Sequence, residues 1–188
     1  MNLSQLEEYT EIFQVIEECR VGGKFINENS GDFEIKEAYN FILQFTQEVK
    51  TYYSIIGYAL VSGNGFFYFI LKGYESIPKS YVNGYVDYIE IYRFLKLLNA
   101  NIGSSNGGPY SASNMETRLN EDIELKTMVD KMSFLKKRST NREAIDSIIG
   151  RLKQDGFAQS LGNRTGEFLI LRSFRFIEDI IEDIEYEL

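Results

Sequence analysis

The 188-residue sequence contains no histidine, no tryptophan, two prolines and one cysteine. Without histidine, imidazole-based acid–base catalysis and histidine metal ligation are excluded. A single cysteine, Cys19, can form neither an intrachain disulfide nor a thiolate metal cluster, which suits a reducing compartment. It lies among Ile12, Phe13, Val15 and Ile16, where it reads as a small buried apolar residue and not as a reactive thiol. There is no G-x-x-x-x-G-K-[ST] phosphate loop and no G-x-G-x-x-G dinucleotide turn. Basic residues are outnumbered, 20 Lys and Arg against 28 Asp and Glu, for a net charge of −8. That balance argues against unaided high-affinity binding to nucleic acid while leaving room for a local basic face. No run of about 18 apolar residues exists to span a membrane. The acidic opening, MNLSQLEEYTEIF, lacks the basic and apolar regions of a secretory signal. The expectation is a soluble, cytoplasmic protein without cofactor or metal. Carboxylate pairs occur by chance in acid-rich amphipathic helices, so a carboxylate-only hydrolase or metal-dependent nuclease is the one enzymatic reading left, and the chain reads as non-enzymatic.

Aromatic residues, in contrast, are plentiful. Thirteen Tyr and fourteen Phe must be covered, either by an internal core or by a partner. The first half opens with Ser4 and Glu7 as a capping box for a helix bearing Leu6, Tyr9, Phe13 and Ile16, closed by Gly22–Gly23. A short extended piece, Lys24–Phe25–Ile26, follows. Asp32 caps a second helix whose apolar positions, Ile35, Ala38, Ile42, Phe45, Val49 and Tyr52, predict one stripe over five turns. The period then shortens to that of strands, with Ser54 to Val61 and Phe66 to Leu71 flanking the turn Ser62–Gly63–Asn64–Gly65. Helix, short strand, helices and hairpin are the element order of a winged helix. Glu34, Glu37 and Glu48 on its would-be reading helix, against Lys36 and Lys50, suit an interaction module better than a phosphate-binding one.

The pattern then repeats. Ile77–Pro78–Lys79–Ser80 starts a helix running to about Asn99, with one polar row (Asp87, Glu90, Arg93, Lys96) and an otherwise apolar circumference. Such a helix is covered on most sides. Either packing between modules or a second copy of the chain would do this, and in the latter case Tyr85, Tyr88, Ile89, Tyr92 and Leu95 mark a dimer or partner interface. Asn101 to Pro109 reads as a loop, followed by helices over Ser111 to Leu119 and Ile123 to Leu135. Thr140 and Glu143 form another capping box before Ile145, Ile148, Ile149 and Leu152, and Gly156 ends that helix. Phe157 to Leu161 and Glu167 to Leu171 pair around Gly162 to Gly166, completing a recognition helix and wing. Between Lys131 and Arg164, eight basic residues meet only Glu143, Asp146 and Asp155, a local excess of +5. Lys136, Lys137, Arg138, Arg142, Lys153 and Arg164 are therefore the candidate DNA-facing residues. A final helix from Ser173 sets Phe176, Ile177, Ile180, Ile181 and Ile184 against an acidic face. The expected architecture is mainly α with small β-hairpins (α+β), as two tandem winged-helix modules over residues 1–76 and 77–188.

Several segments, in this order, resemble the MukE/MksE-type accessory subunits of bacterial condensins of the MukBEF kind. They are Gly22–Gly23–Lys24, the long helix ending at Tyr53, Gly65–Phe66–Phe67–Tyr68–Phe69, Ile77–Pro78–Lys79–Ser80, Lys137–Arg138–Ser139–Thr140, Arg151–Leu152 with Gly156 and the wing, and Ser173–Phe174–Arg175–Phe176. The likeness covers roughly residues 20–98 and 130–178, while 99–129 match poorly. The short length and the lack of an extended acidic C-terminal tail fit MksE-type subunits, or their equivalents in plasmid-defence (Wadjet) condensins. The resemblance implies a homodimer that binds a MukF/MksF-like kleisin. Through it the subunit joins an SMC-type ATPase, close to DNA held in the complex. The location would be nucleoid-associated, and the role chromosome organisation and segregation or plasmid defence. The alternative reading from the residues is a stand-alone winged-helix transcription regulator.

Overall fold

The computed structural model describes residues 9–73, 79–98, 109–135, 140–162 and 166–186, the side chains of 79–85 and 182–186 excepted. The chain is mainly helical with two small antiparallel sheets, and it divides into one unit over Met1–Ser76 and another over Ile77–Leu188. The capping box at Ser4 and Glu7, the start at Ile77–Pro78, most of the 101–109 loop and the tip of the second hairpin lie outside the described residues.

The first unit runs α1 (Thr10–Val21), β1 (Ile26–Asn27), α2 (Phe33–Gln44), α3 (Thr46–Ile55), β2 (Tyr58–Gly63) and β3 (Phe66–Leu71). Helix α1 ends because Gly23 takes φ +61, which lets the Lys24 and Gly23 amides reach back to the carbonyls of Cys19 and Arg20. Asp32 caps α2, accepting hydrogen bonds from the Glu34 and Ile35 amides. The single five-turn helix expected here is instead two helices. Phe45 leaves helical geometry (φ −117, ψ 36), and Thr46 Oγ1 donates back to the Ile42 carbonyl at 2.7 Å, a bond that bends helices. The break rotates the apolar stripe. Tyr53 becomes buried, whereas Tyr52, the expected stripe residue, is 47% exposed. Ser54 and Ile55 finish α3 and do not begin the strand. The strand starts only after Gly57, which turns the chain at φ +87.

β3 lies between β1 and β2. Its Phe67 joins Ile16, Cys19, Ile26, Ala38, Phe41, Ile42, Val49, Tyr53 and Leu60 in the core of the unit. Many of the aromatics are accounted for here. Phe41 meets Tyr9, Phe13 and Phe45 at ring separations of 5.0, 5.3 and 4.9 Å, and Tyr53 meets Phe69 at 4.4 Å.

The second unit contains α4 (Lys79–Leu97), β4 (Tyr110–Ser111), α5 (Ala112–Glu121), α6 (Ile123–Lys131), α7 (Asn141–Gln154), β5 (Ala158–Ser160), β6 (Glu167–Ile170) and α8 (Arg175–Tyr186). Single turns of 3-10 helix occupy Ser133–Leu135 and Arg172–Phe174. The helix expected over 123–135 stops at Lys131 because Met132 is extended (ψ 121), and the last helix begins two residues later than expected, after its 3-10 turn. Strand β4 has no sequence signal. Its two residues become a strand only by pairing with Phe168 and Glu167 of β6. The sheet order, β4-β6-β5, repeats that of the first unit, with the last strand in the middle. The α7 capping box is present: Thr140 accepts from the Glu143 amide while the Glu143 carboxylate accepts from that of Thr140. At the other end Gly156 (φ +76) closes the helix as Gly23 closes α1.

Candidate interaction surfaces

Two surfaces follow from the sequence, and the first is built on α7. Ala144, Ile145, Ile148, Ile149 and Leu152 bury its apolar face. The opposite face exposes Glu143, Asp146, Lys153 and Gln154, so the open face of α7 is mixed in charge. Arg142 stands at the helix start beside Gly166, the near end of the hairpin loop. Its Nε donates to Asp146 at 3.1 Å, and its guanidinium also meets Glu116 at 3.6 Å and Ser113 Oγ at 3.5 Å. The hydrogen bond to Asp146, then the charge of these carboxylates, raises the pKa of Arg142, and both acids compete with a phosphate for its guanidinium. Lys153 is exposed near the helix end. Lys136, Lys137, Arg138 and Arg164 lie outside the described residues. The structure thus brings Arg142 to the hairpin, and among the described candidates only Lys153 is exposed with no carboxylate beside it.

Arg151, on the same helix, serves packing. Its guanidinium lies 3.5 Å from Asp87 Oδ2 and 3.3 Å from Asp155 Oδ2, and 5.6 Å from the centroid of the Tyr88 ring. The Tyr88 hydroxyl donates to Asp155, and Ser133 donates to Asp87 at 3.1 Å. Burial, then the bond to Asp155, raises the pKa of Tyr88 above the usual phenol range. A ladder of edge-to-face rings continues from Tyr88 to Phe157 (5.3 Å) and on to Phe174 (5.8 Å). Ser173, fully buried, donates to the Gly156 carbonyl at 2.7 Å and so ties the start of α8 to the end of α7.

The second surface is α4. Tyr88 and Leu95, expected at a dimer or partner interface, are buried among this unit's own core residues. Ile89 and Tyr92 are partly buried, and Lys96 donates to the Tyr92 hydroxyl at 3.3 Å. The side chain of Tyr85 lies outside the described set. Among its described side chains, α4 exposes Val86, Arg93, Lys96 and Leu97. The polar row is split. Arg93 and Lys96 face solvent, whereas Asp87 is spent on Arg151 and Glu90 is partly buried with one carboxylate oxygen lacking a hydrogen bond.

The first unit exposes apolar residues that periodicity did not single out, Val21, Phe33, Leu43, Ile55, Ile56 and Leu71, and the second exposes Ile123. A helical-wheel reading hides apolar residues by default. The exposure of Ile55 and Ile56 follows from the helix break and the Gly57 turn, which no local signal announced. Cys19 is 2% exposed, and burial pushes its thiol up to about 11. A cleft lined by Arg118, Glu121, Asp122, Ile123 and Glu124 spends Asp122 on capping α6 and Arg118 on the Leu98 carbonyl. Among the described residues no three Cys, Asp or Glu side chains converge as metal ligands, and no helix is long and apolar enough to cross a membrane. No curated protein matches the chain. A family model described as condensin complex protein MksE matches residues 11–181.

Proposed function

The chain belongs to the MksE family of condensin complex proteins, and from that premise we propose that it is a non-catalytic accessory subunit that binds the kleisin of an SMC-type complex. The observation that carries this reading is the span of the family match, which takes in both units. Each unit orders its elements as helix, strand, helices and hairpin, with the last strand central, and we read both as winged helices. The sequence has no phosphate loop, so ATP hydrolysis falls to the SMC partner. The subunit acts as a homodimer, near DNA held by the complex, in chromosome organisation and segregation or in plasmid defence. Engagement of Arg142 by Glu116 and Asp146, with acids on the open face of α7, favours this over a stand-alone regulator.

Co-expression with the kleisin encoded alongside tests the proposal. A complex stable through gel filtration is expected, and clean separation of the two proteins overturns it. Deleting the gene then distinguishes the roles, since a segregation defect assigns chromosome maintenance and improved plasmid retention assigns defence.

A further inference from the structure

The hairpin of the first unit leaves one strand edge open. β2 ends the sheet β1-β3-β2. The Gly57 carbonyl accepts from the amide of Lys72, directly opposite, at 2.9 Å, so Gly57, Ala59, Val61 and Gly63 are the residues whose backbone groups face β3. By alternation, Tyr58, Leu60 and Ser62 aim their N–H and C=O groups away from the sheet, and no partner meets them among the described residues. Proteins blunt such edges with charge, proline or a bulge. The strand, Tyr-Ala-Leu-Val-Ser-Gly, has none of these and runs in unbroken register for its full length. The matching edge of the second unit, β5, offers only Ala158 and Ser160.

The surroundings of β2 define what fits. Ala59 and Val61 present small apolar side chains on the face away from the core. Ile55 and Ile56, 80% and 48% exposed, stand at the Tyr58 end. Two cations flank that end. Lys72 Nζ lies 2.6 Å from Ser54 Oγ, and the Arg20 guanidinium lies 4.2 Å from the Tyr58 ring centroid, with Glu17 the one carboxylate paired there among the described residues.

We propose that the β2 edge receives an extended segment of another condensin subunit as a fourth strand, an inference that rests on the accessory-subunit reading above. The segment carries alternating apolar residues against Val61 and Ala59. It places a large apolar residue and a carboxylate at the end bearing Ile55, Ile56 and Lys72. Main-chain pairing supplies the attachment, and these side chains supply register and direction.

Residue-resolved hydrogen exchange of the full chain, alone and reconstituted with the co-encoded kleisin and SMC subunits, tests this. The Leu60 and Ser62 amides are expected to slow at least tenfold on assembly, while those of Ala59 and Val61, already bonded to β3, change little. Ser62→Pro removes only an outward N–H at an exposed position. It should weaken assembly about tenfold with the melting temperature of the isolated chain unchanged. Assembly with unaltered exchange at Leu60 and Ser62, or wild-type assembly by Ser62→Pro, overturns the inference and leaves the accessory role standing. Failure to assemble at all overturns both. Slowing in the isolated chain that grows with its concentration gives the edge to a second copy and overturns the assignment to another subunit.

Discussion

Gly63 has no room for a side chain. A Cβ there would fall inside the van der Waals envelope of the Phe66 ring, which is 2% exposed and boxed in by Phe25 and Tyr68 at 5.6 and 6.1 Å. Gly63→Ala is therefore expected to cost about 1–3 kcal/mol, as overpacking does, read as a lower urea midpoint with an unchanged slope. A second residue-scale effect is electrostatic. Arg20 donates to Glu17 through Nε at 2.8 Å, and this bond holds the Glu17 carboxyl below its ordinary value of 4.5. A depressed carboxylate stabilises the fold above the unfolded-state value and loses that contribution as pH falls through the folded one. The stability difference between wild type and Glu17→Gln should thus stay level from about pH 7 to 5 and shrink below about pH 4.5. Urea midpoints across that range check it, and a difference that grew in acid would reverse the assignment. Neither effect was legible beforehand. The Gly63–Asn64–Gly65 turn was visible in the sequence, but the ring over Gly63 is a product of packing.

Tyr88 and Asp87 of α4 are tied to Arg151 of α7 and to Asp155 just after it by ion pairs and a hydrogen bond. Tyr88→Phe keeps the ring against Phe157 and removes the hydroxyl that Asp155 accepts from. Asp155 retains Arg151 and solvent, so the expected loss is about 1 kcal/mol, within the usual range for one hydrogen bond. It should appear as faster amide exchange along α4, with the far-UV circular dichroism unchanged. Most elements were legible at this scale. The cap at Asp32, the capping box at Thr140 and Glu143, and the glycines after α1 and α7 act within a turn, so neighbouring residues reveal them. The break at Phe45, the stop at Met132 and strand β4 were not legible. The first two are irregularities inside an apolar pattern that would suit a continuous helix, and β4 depends on β6, more than fifty residues downstream.

At the scale of the molecule, a net charge of −8 and an open face of α7 that includes Glu143 and Asp146 predict weak, unselective association of the isolated chain with DNA. A dissociation constant above about 1 µM at physiological salt is expected, weakening further as salt is added. Fluorescence anisotropy with duplexes of unrelated sequence measures this, and sequence-dependent nanomolar binding would restore the regulator reading. The family match runs through residues 99–129, where the sequence resemblance was poor, and so takes in α5 and α6. Of the candidate site residues, the sequence located Arg142 at a helix start but could not show the second hairpin or the carboxylates of Glu116 and Asp146 beside it.

By itself the sequence determined the mainly helical class, the repeated helix-to-hairpin order and the absence of histidine, thiolate-cluster and phosphate-loop chemistry. Those depend on composition, on periodicity and on capping within a few residues. Only the tertiary structure decided which charges are spent, which apolar residues stay outside and which strand edge meets no partner among the described residues. Tyr88 and Leu95 went to the core, Ile55 and Ile56 to the surface, and Arg142 to its acids, because pairing and burial are settled between elements distant in the chain, where periodicity carries no information.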